Sequence, residues 1–190
     1  MLSTKFEMLW KNMQDARKLF RLAKWIQAYQ KVVEYIGKPD PLWDTVDLAL
    51  NIISRVFYGL YWLTDNLYIL ARLRVIRRNP SIFVVPLYAF WFTALFFLLT
   101  FCIKQLIKIM SLNKKLKASK QQNEETDIKI ASLKEIMRKD IRVIIRVFAD
   151  MVNAGSGCHL WGLFGLQFND MTKGLAGTIA ATLGCYELYK

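Results

Sequence analysis

Read at helical spacing, the first part of the chain sorts its side chains onto faces. Between Phe6 and Ile36, residues Leu19, Leu22, Trp25, Ile26, Tyr29, Val32, Val33 and Ile36 share one arc at 100° per residue. Arg17, Arg21, Lys24 and Lys31 occupy a neighbouring stripe, with Lys18 on the apolar side and Phe20 off it. A basic amphipathic helix of this kind suits either an in-plane membrane interface or packing on the protein's own core. Lys38-Pro39-Asp40-Pro41 interrupts the pattern. Asp44 and Asp47 then stand where a helix N-terminus favours negative charge, and the stretch from Leu48 to Thr64 holds one charge, Arg55. An arginine in the middle of such a stretch costs roughly 2.5–3.5 kcal/mol on insertion scales, so a buried or shallowly embedded helix is expected rather than a span. The next segment ends in Arg72, Arg74, Arg77 and Arg78, a density that suits phosphate head groups.

From Ile82 to Ile103 the chain runs 22 residues without a charge. At 1.5 Å per residue this is roughly 33 Å of helix against about 30 Å of hydrocarbon, which predicts a transmembrane helix. Pro86, near its start, begins or kinks the helix. Four arginines precede the span and Lys104, Lys108, Lys114, Lys115, Lys117 and Lys120 follow it, so the positive-inside rule sets no firm orientation. A polar stretch follows, and Thr126 or Asp127 offers a cap for the next helix. There Ile130, Leu133, Met137, Ile141, Ile144, Phe148 and Met151 fall on one face, and Arg138, Arg142 and Arg146 form an i, i+4, i+8 ladder.

The last segment is glycine-rich and nearly uncharged. Ala176, Ala180 and Gly184 repeat at four-residue spacing, with Gly174, Gly177 and Ala181 beside them. In lipid such ladders let helix backbones approach closely, so a membrane-embedded, self-associating helix is expected there. The reading as a whole is an all-α membrane protein: an N-terminal amphipathic helical region (1–81), a transmembrane helix (82–103), a polar loop (104–127), an amphipathic helix (128–153) and a Gly-rich membrane-embedded C-terminal segment (154–190). These form a single membrane domain.

Composition sharpens this picture. The 190 residues carry 27 Lys and Arg against 15 Asp and Glu, yet 54% are hydrophobic. Nucleic-acid binding explains the charge but not the apolar span, whereas a bilayer with anionic phospholipids accounts for both. Cys102, Cys158 and Cys185 are odd in number and far apart, which argues against a disulfide framework and for a reducing context. A lone histidine, His159, beside Cys158 forms neither a metal site nor a nucleophile pair. With no paired acids and no phosphate loop, the expectation is a non-enzymatic protein without cofactor or metal.

Three short stretches carry a family likeness. Ala16-Arg17-Lys18-Leu19-Phe20-Arg21-Leu22 is similar to the N-terminal R-D-K-L-x-R-L region of the peroxin-11 family of peroxisomal membrane proteins, with Ala16-Arg17 in place of Arg-Asp. Asp65-Asn66-Leu67-Tyr68 resembles its D-N turn. Gly174-Leu175-Ala176-Gly177 through Gly184-Cys185-Tyr186-Glu187-Leu188-Tyr189 resembles its C-terminal G-L-x-G-x-x-x-S-x-x-G-x-Y-x-x-W, with Ala180-Ala181 where serines are common and Tyr189 for Trp. The compact length also fits glycosomal relatives in kinetoplastid protists. The resemblance implies a multi-pass protein of the peroxisomal or glycosomal membrane that elongates the membrane and promotes proliferation and fission. It implies homo-oligomers, and fission machinery and a membrane-protein import receptor as partners. Both termini would lie in the cytosol. The residues suggest how: Arg17, Arg21, Lys24 and Lys31, with Arg72, Arg74, Arg77, Arg78, Arg138, Arg142 and Arg146, would meet head groups. Leu19, Leu22, Trp25, Ile26, Tyr29 and Val33 would insert below them. The rival expectation is a channel for small metabolites, with Arg55, Asn169, Asp170 and Lys173 along a watery path.

Overall fold

The computed structural model describes residues 23–41, 43–118 and 124–188, and no strand occurs among them. Arg17, Leu19, Arg21 and Leu22 lie outside the described residues. Five long helices follow in chain order: α1 (Lys24–Gly37), α2 (Thr45–Arg72), α3 (Val84–Ala118), α4 (Glu124–Gly157) and α5 (Asp170–Leu188). A 3-10 turn, Pro80–Phe83, opens α3, and a one-turn helix, Leu160–Leu163, lies between α4 and α5.

Local chemistry explains the boundaries. Asp44 and Asp47 form a reciprocal cap at the start of α2. The Asp44 carboxylate accepts from the Asp47 amide at 2.9 Å, and the Asp47 carboxylate accepts from the Asp44 amide at 3.2 Å. This satisfies amides that have no partner within the helix. The Asn79 side chain accepts from the Ser81 amide at 3.0 Å, with Pro80 at the first position of the turn, where its missing N–H costs nothing. His159 adopts a left-handed backbone (φ 59°) just past the end of α4. Asn169 Oδ1 accepts from the Thr172 amide at 2.8 Å at the start of α5.

Each helix packs on the next in the chain, and the pairing positions reverse each time, so consecutive helices are antiparallel. In the α1–α2 pair, Tyr29 lies on Gly59 while Lys24 lies over the Trp62 ring. In the α2–α3 pair, the Ser54 hydroxyl donates to the Ala94 carbonyl at 3.0 Å, and Tyr61 stacks on Trp91 with ring centres 5.5 Å apart. Leu95 of α3 packs with Val147, Met151 and Ala154 of α4. Ala149 of α4 packs with Ala176 and Ala180 of α5. Trp43, before α2, joins Tyr35 of α1 to Phe101 of α3, each pair edge-on at 5.3 Å.

The polarity of this array is inverted in part. The buried stripe of α2 holds Asp47, Asn51, Ser54 and Asp65, none more than 7% exposed. The outer faces hold Phe96 of α3 (51% exposed), Phe148 of α4 (61%) and Ile179 of α5 (47%). Buried polar groups and exposed large apolar ones are the two departures from a soluble fold that carry information.

Two expected boundaries change. The polar loop placed at 104–127 is largely helix, because α3 continues to Ala118 and α4 already begins at Glu124. Residues 104–118 contain no Gly or Pro and are rich in Lys, Leu and Ile, so nothing local stops the helix once Lys104 and Lys108 are held. At 35 residues α3 is about 52 Å long, well beyond the bilayer core. The Leu48–Thr64 stretch belongs to a 28-residue helix that runs on to Arg72.

The α1–α2 contact depends on one glycine. A Cβ on Gly59 would lie 2.8 Å from the Tyr29 ring, so Gly59→Val forces α1 off α2. The expected cost is about 1–3 kcal/mol, read as a lowered Tm of the purified protein; an unchanged Tm would show that Tyr29 yields freely.

Candidate membrane interface

Among the described residues one helix is long and apolar enough to cross a membrane, Pro80–Ala118. Its two flanks differ in kind. On the α2–α3 connection Arg72, Arg74, Arg77 and Arg78 are all exposed, interleaved with exposed Leu73 and Val75. This mixture of guanidinium and apolar side chains matches a head-group layer. At the other flank the first two lysines turn inward. Lys104 Nζ lies 2.7 Å from Asp44 Oδ1 and 2.9 Å from Asp47 Oδ1. Lys108 Nζ lies 3.0 Å from Asp44 Oδ2 and also pairs with Asp47 Oδ2. The Asp47 side chain has no solvent exposure, while its ammonium partners are about one-third exposed. The hydrogen bond from Lys104, with the Asp47 amide and Lys108, holds the Asp44 carboxyl well below the usual carboxylate range.

This cluster was not among the expected site residues, although its signal is visible: two acids three apart before one apolar stretch, and two lysines four apart after another. It also changes the charge balance across the span. Among the described lysines after Ile103, Lys104 and Lys108 are neutralised within the chain, so the charge of that flank is smaller than its lysine content suggests.

The structure divides the expected inserting face of α1. Trp25 and Tyr29 are half-buried, and Tyr29 is committed to Gly59. Ile26 (42% exposed) and Val33 (70%) point away, with Ile36, as an uncovered apolar stripe. Lys24 lies 5.0 Å over the Trp62 ring and Lys31 pairs with Glu34 at 2.6 Å, so both basic residues are partly engaged.

The arginine ladder of α4 is divided too. Arg138 is exposed, Arg142 lies 5.2 Å over the Tyr186 ring, and Arg146 forms an ion pair with Glu187. Two of its three members therefore fasten α5. The small-residue ladder serves the same contact: Ala176 and Ala180 are buried against Ala149 and Val152. Beside them the Asn153 amide bridges α5, its nitrogen donating to the Lys173 carbonyl at 3.1 Å and its oxygen accepting from the Gly177 amide at 3.3 Å. A Cβ on Gly184 would lie 3.9 Å from the Arg146 side chain, while Gly174 and Ala181 are exposed. Arg55 lines a groove of about 500 Å³ walled by α1 and α2, together with Lys31, Glu34 and Trp62. Asp170 and Lys173 pair with each other on the surface at 3.1 Å.

A helical array with one membrane-length apolar helix, basic flanks and an apolar exterior defines an all-α integral membrane protein. The chain matches the family model of peroxisomal biogenesis factor 11 over residues 1–189, and it belongs to that family. It is thus a peroxisomal membrane protein of organelle proliferation. No curated protein and no solved structure matches it.

Removing the Asp47 charge leaves two ammonium groups sharing Asp44 alone. Asp47→Ala is expected to destabilise the protein by about 2–3 kcal/mol, the loss of a buried pair discounted for partly exposed partners. Thermal unfolding in detergent checks this, and a shift no larger than that of a surface Asp→Ala variant would refute it. The Asp44 contribution has a definite pH sign. A carboxyl held below its ordinary value of 3.8 stabilises the fold in full above that value and loses this progressively as pH falls from there through its lowered folded-state value. Unfolding should therefore ease only under acid conditions, with little change between pH 6 and 8.

Proposed function

We propose that this chain enlarges and elongates the peroxisomal membrane by sitting in it as an apolar-faced helical array and wedging one leaflet with α1. The observation that carries this reading is the inverted polarity. Leu95 packs against Val147, and Ala149 against Ala176 and Ala180, so the exposed Phe96, Phe148 and Ile179 lie at about one level across three helices. Exposed large apolar side chains at one level favour immersion of more than α3 alone. The polar stripe of α2 faces α3, where an intramembrane polar group belongs, which supports an α2–α3 hairpin turned by the arginine-rich connection.

In this arrangement the exposed edge of α1, with Ile26, Val33 and Ile36, lies against the acyl boundary. Lys24, Lys31 and the connection arginines face anionic phosphates. Each basic residue near such a surface contributes about 1 kcal/mol, so several hold α1 in place while its apolar edge expands that leaflet. Self-association concentrates the wedges, and the face of α5 left free by α4, with Leu175 and Ile179, supports it better than Ala176 and Ala180, which are already covered. A recruited fission machinery then divides the elongated membrane. The channel reading gains less support, since the Arg55 groove is walled by two helices only.

Purified full-length protein reconstituted with anionic liposomes provides the test. Wild type should draw tubules, and the double variant Ile26→Glu, Val33→Glu should insert yet tubulate several-fold less, because these are exposed apolar side chains of α1. Equal tubulation by both would sink the wedge mechanism.

A further inference from the structure

We infer that the groove between α2 and the α4–α5 pair is a binding site for the head group of a zwitterionic phospholipid, recognised through its ammonium. The groove encloses about 490 Å³, the size of a small-molecule site. Its two walls differ in chemistry. One is aromatic: Tyr58, Tyr61 and Trp62 of α2 with Trp91 of α3. Tyr61 sits 4.6 Å from Trp62 and stacks on Trp91 at 5.5 Å, so the rings form one continuous surface. Lys24 already lies over Trp62 at 5.0 Å, a cation on an aromatic face at the groove's edge. The other wall carries Arg146 and Asp150 of α4, with small residues of α5 that leave the space open.

Asp150 is the informative group. It is half-buried and makes no hydrogen bond or ion pair with the described residues, in a chain with 27 basic side chains to choose from. Its nearest cation, Arg146 one turn earlier, turns to Glu187 instead. A partly desolvated carboxylate facing aromatic rings is the arrangement that receives an alkylated or primary ammonium. The i, i+4 spacing of Arg146 and Asp150 sets their Cβ atoms about 5–6 Å apart, a separation suited to a phosphate and an ammonium joined by two carbons. Arg146 and Lys24 would hold the phosphate, Asp150 and the rings the choline or ethanolamine. The groove lies at the level of Phe148 and Ile179, below the membrane surface, so the head group would be received within the protein while the acyl chains leave over the apolar exterior. This goes beyond the membrane-shaping reading and holds whether or not α1 bends a bilayer.

The test uses the intact protein in detergent, with lipid adducts counted by native mass spectrometry. Phosphatidylcholine and phosphatidylglycerol of matched chains are the probes, and circular dichroism verifies the fold. Expected is one saturable phosphatidylcholine adduct, about tenfold weaker in Asp150→Asn and absent in Ala181→Phe, which fills the groove from an exposed position. Phosphocholine without chains should compete only weakly. Competition as strong as that of the lipid would keep the ammonium site but assign it to a soluble ligand. Equal binding of the two lipids, unchanged by either variant, would overturn the inference. Because tubulation is not read, a failed wedge mechanism leaves this result intact.

Discussion

Asp47 has no exposed surface, and the two ammonium groups that neutralise it come from a helix almost sixty residues further along the chain. A buried carboxylate without its counter-charges costs several kcal/mol, so α2 and α3 adopt the register that brings Lys104 and Lys108 to it. Once that end is fixed, the antiparallel geometry places Ser54 on the Ala94 carbonyl and Tyr61 on Trp91. The polar stripe of α2 is then covered along its length. The capping box at Asp44 ties the same carboxylates to the start of the helix. One cluster therefore serves as helix cap, register lock and charge sink.

The rest of the molecule follows the same logic. Polar side chains such as Asp47 and Ser54 face other helices, and large apolar ones such as Phe96 and Phe148 are left outside, as expected when the surroundings are hydrocarbon. The basic residues sort into two kinds. Arg74, Arg77, Arg78 and Arg138 are exposed toward the surroundings, as is Arg72, whereas Lys104, Lys108, Arg142 and Arg146 hold helices together. A high positive charge thus overstates how much of the protein faces head groups. Family membership places the chain in the peroxisomal membrane, and the inverted polarity suggests how it is seated there.

Much of this was legible in the residues. The 22-residue uncharged run marked the core of α3, helical periodicity marked α1 and α4, and the four-residue repeat of small residues marked a close helix contact in α5. What escaped was anything that required knowing which helix meets which. The lysines after Ile103 read as a loop and a topology signal, because their partners lie far away at Asp44 and Asp47. The Arg138–Arg142–Arg146 ladder read as one surface stripe, and only Tyr186 and Glu187 of α5 distinguish its members. Ala176 and Ala180 read as an oligomer contact because periodicity shows that a face is small, not whose backbone it meets. The apolar arc of α1 was found whole, yet Gly59 draws Tyr29 inward and leaves Ile26 and Val33 out.

The central claim is that the exposed apolar level through Phe96, Phe148 and Ile179 lies in lipid. Single cysteines at these positions, in a background with Cys102, Cys158 and Cys185 replaced, report on it directly after reconstitution into liposomes. A membrane-impermeant maleimide should leave all three unmodified while labelling a cysteine at Leu112, beyond the apolar run of α3. Labelling of Phe148→Cys and Ile179→Cys as fast as Leu112→Cys would contradict the account, leaving α3 alone in the bilayer.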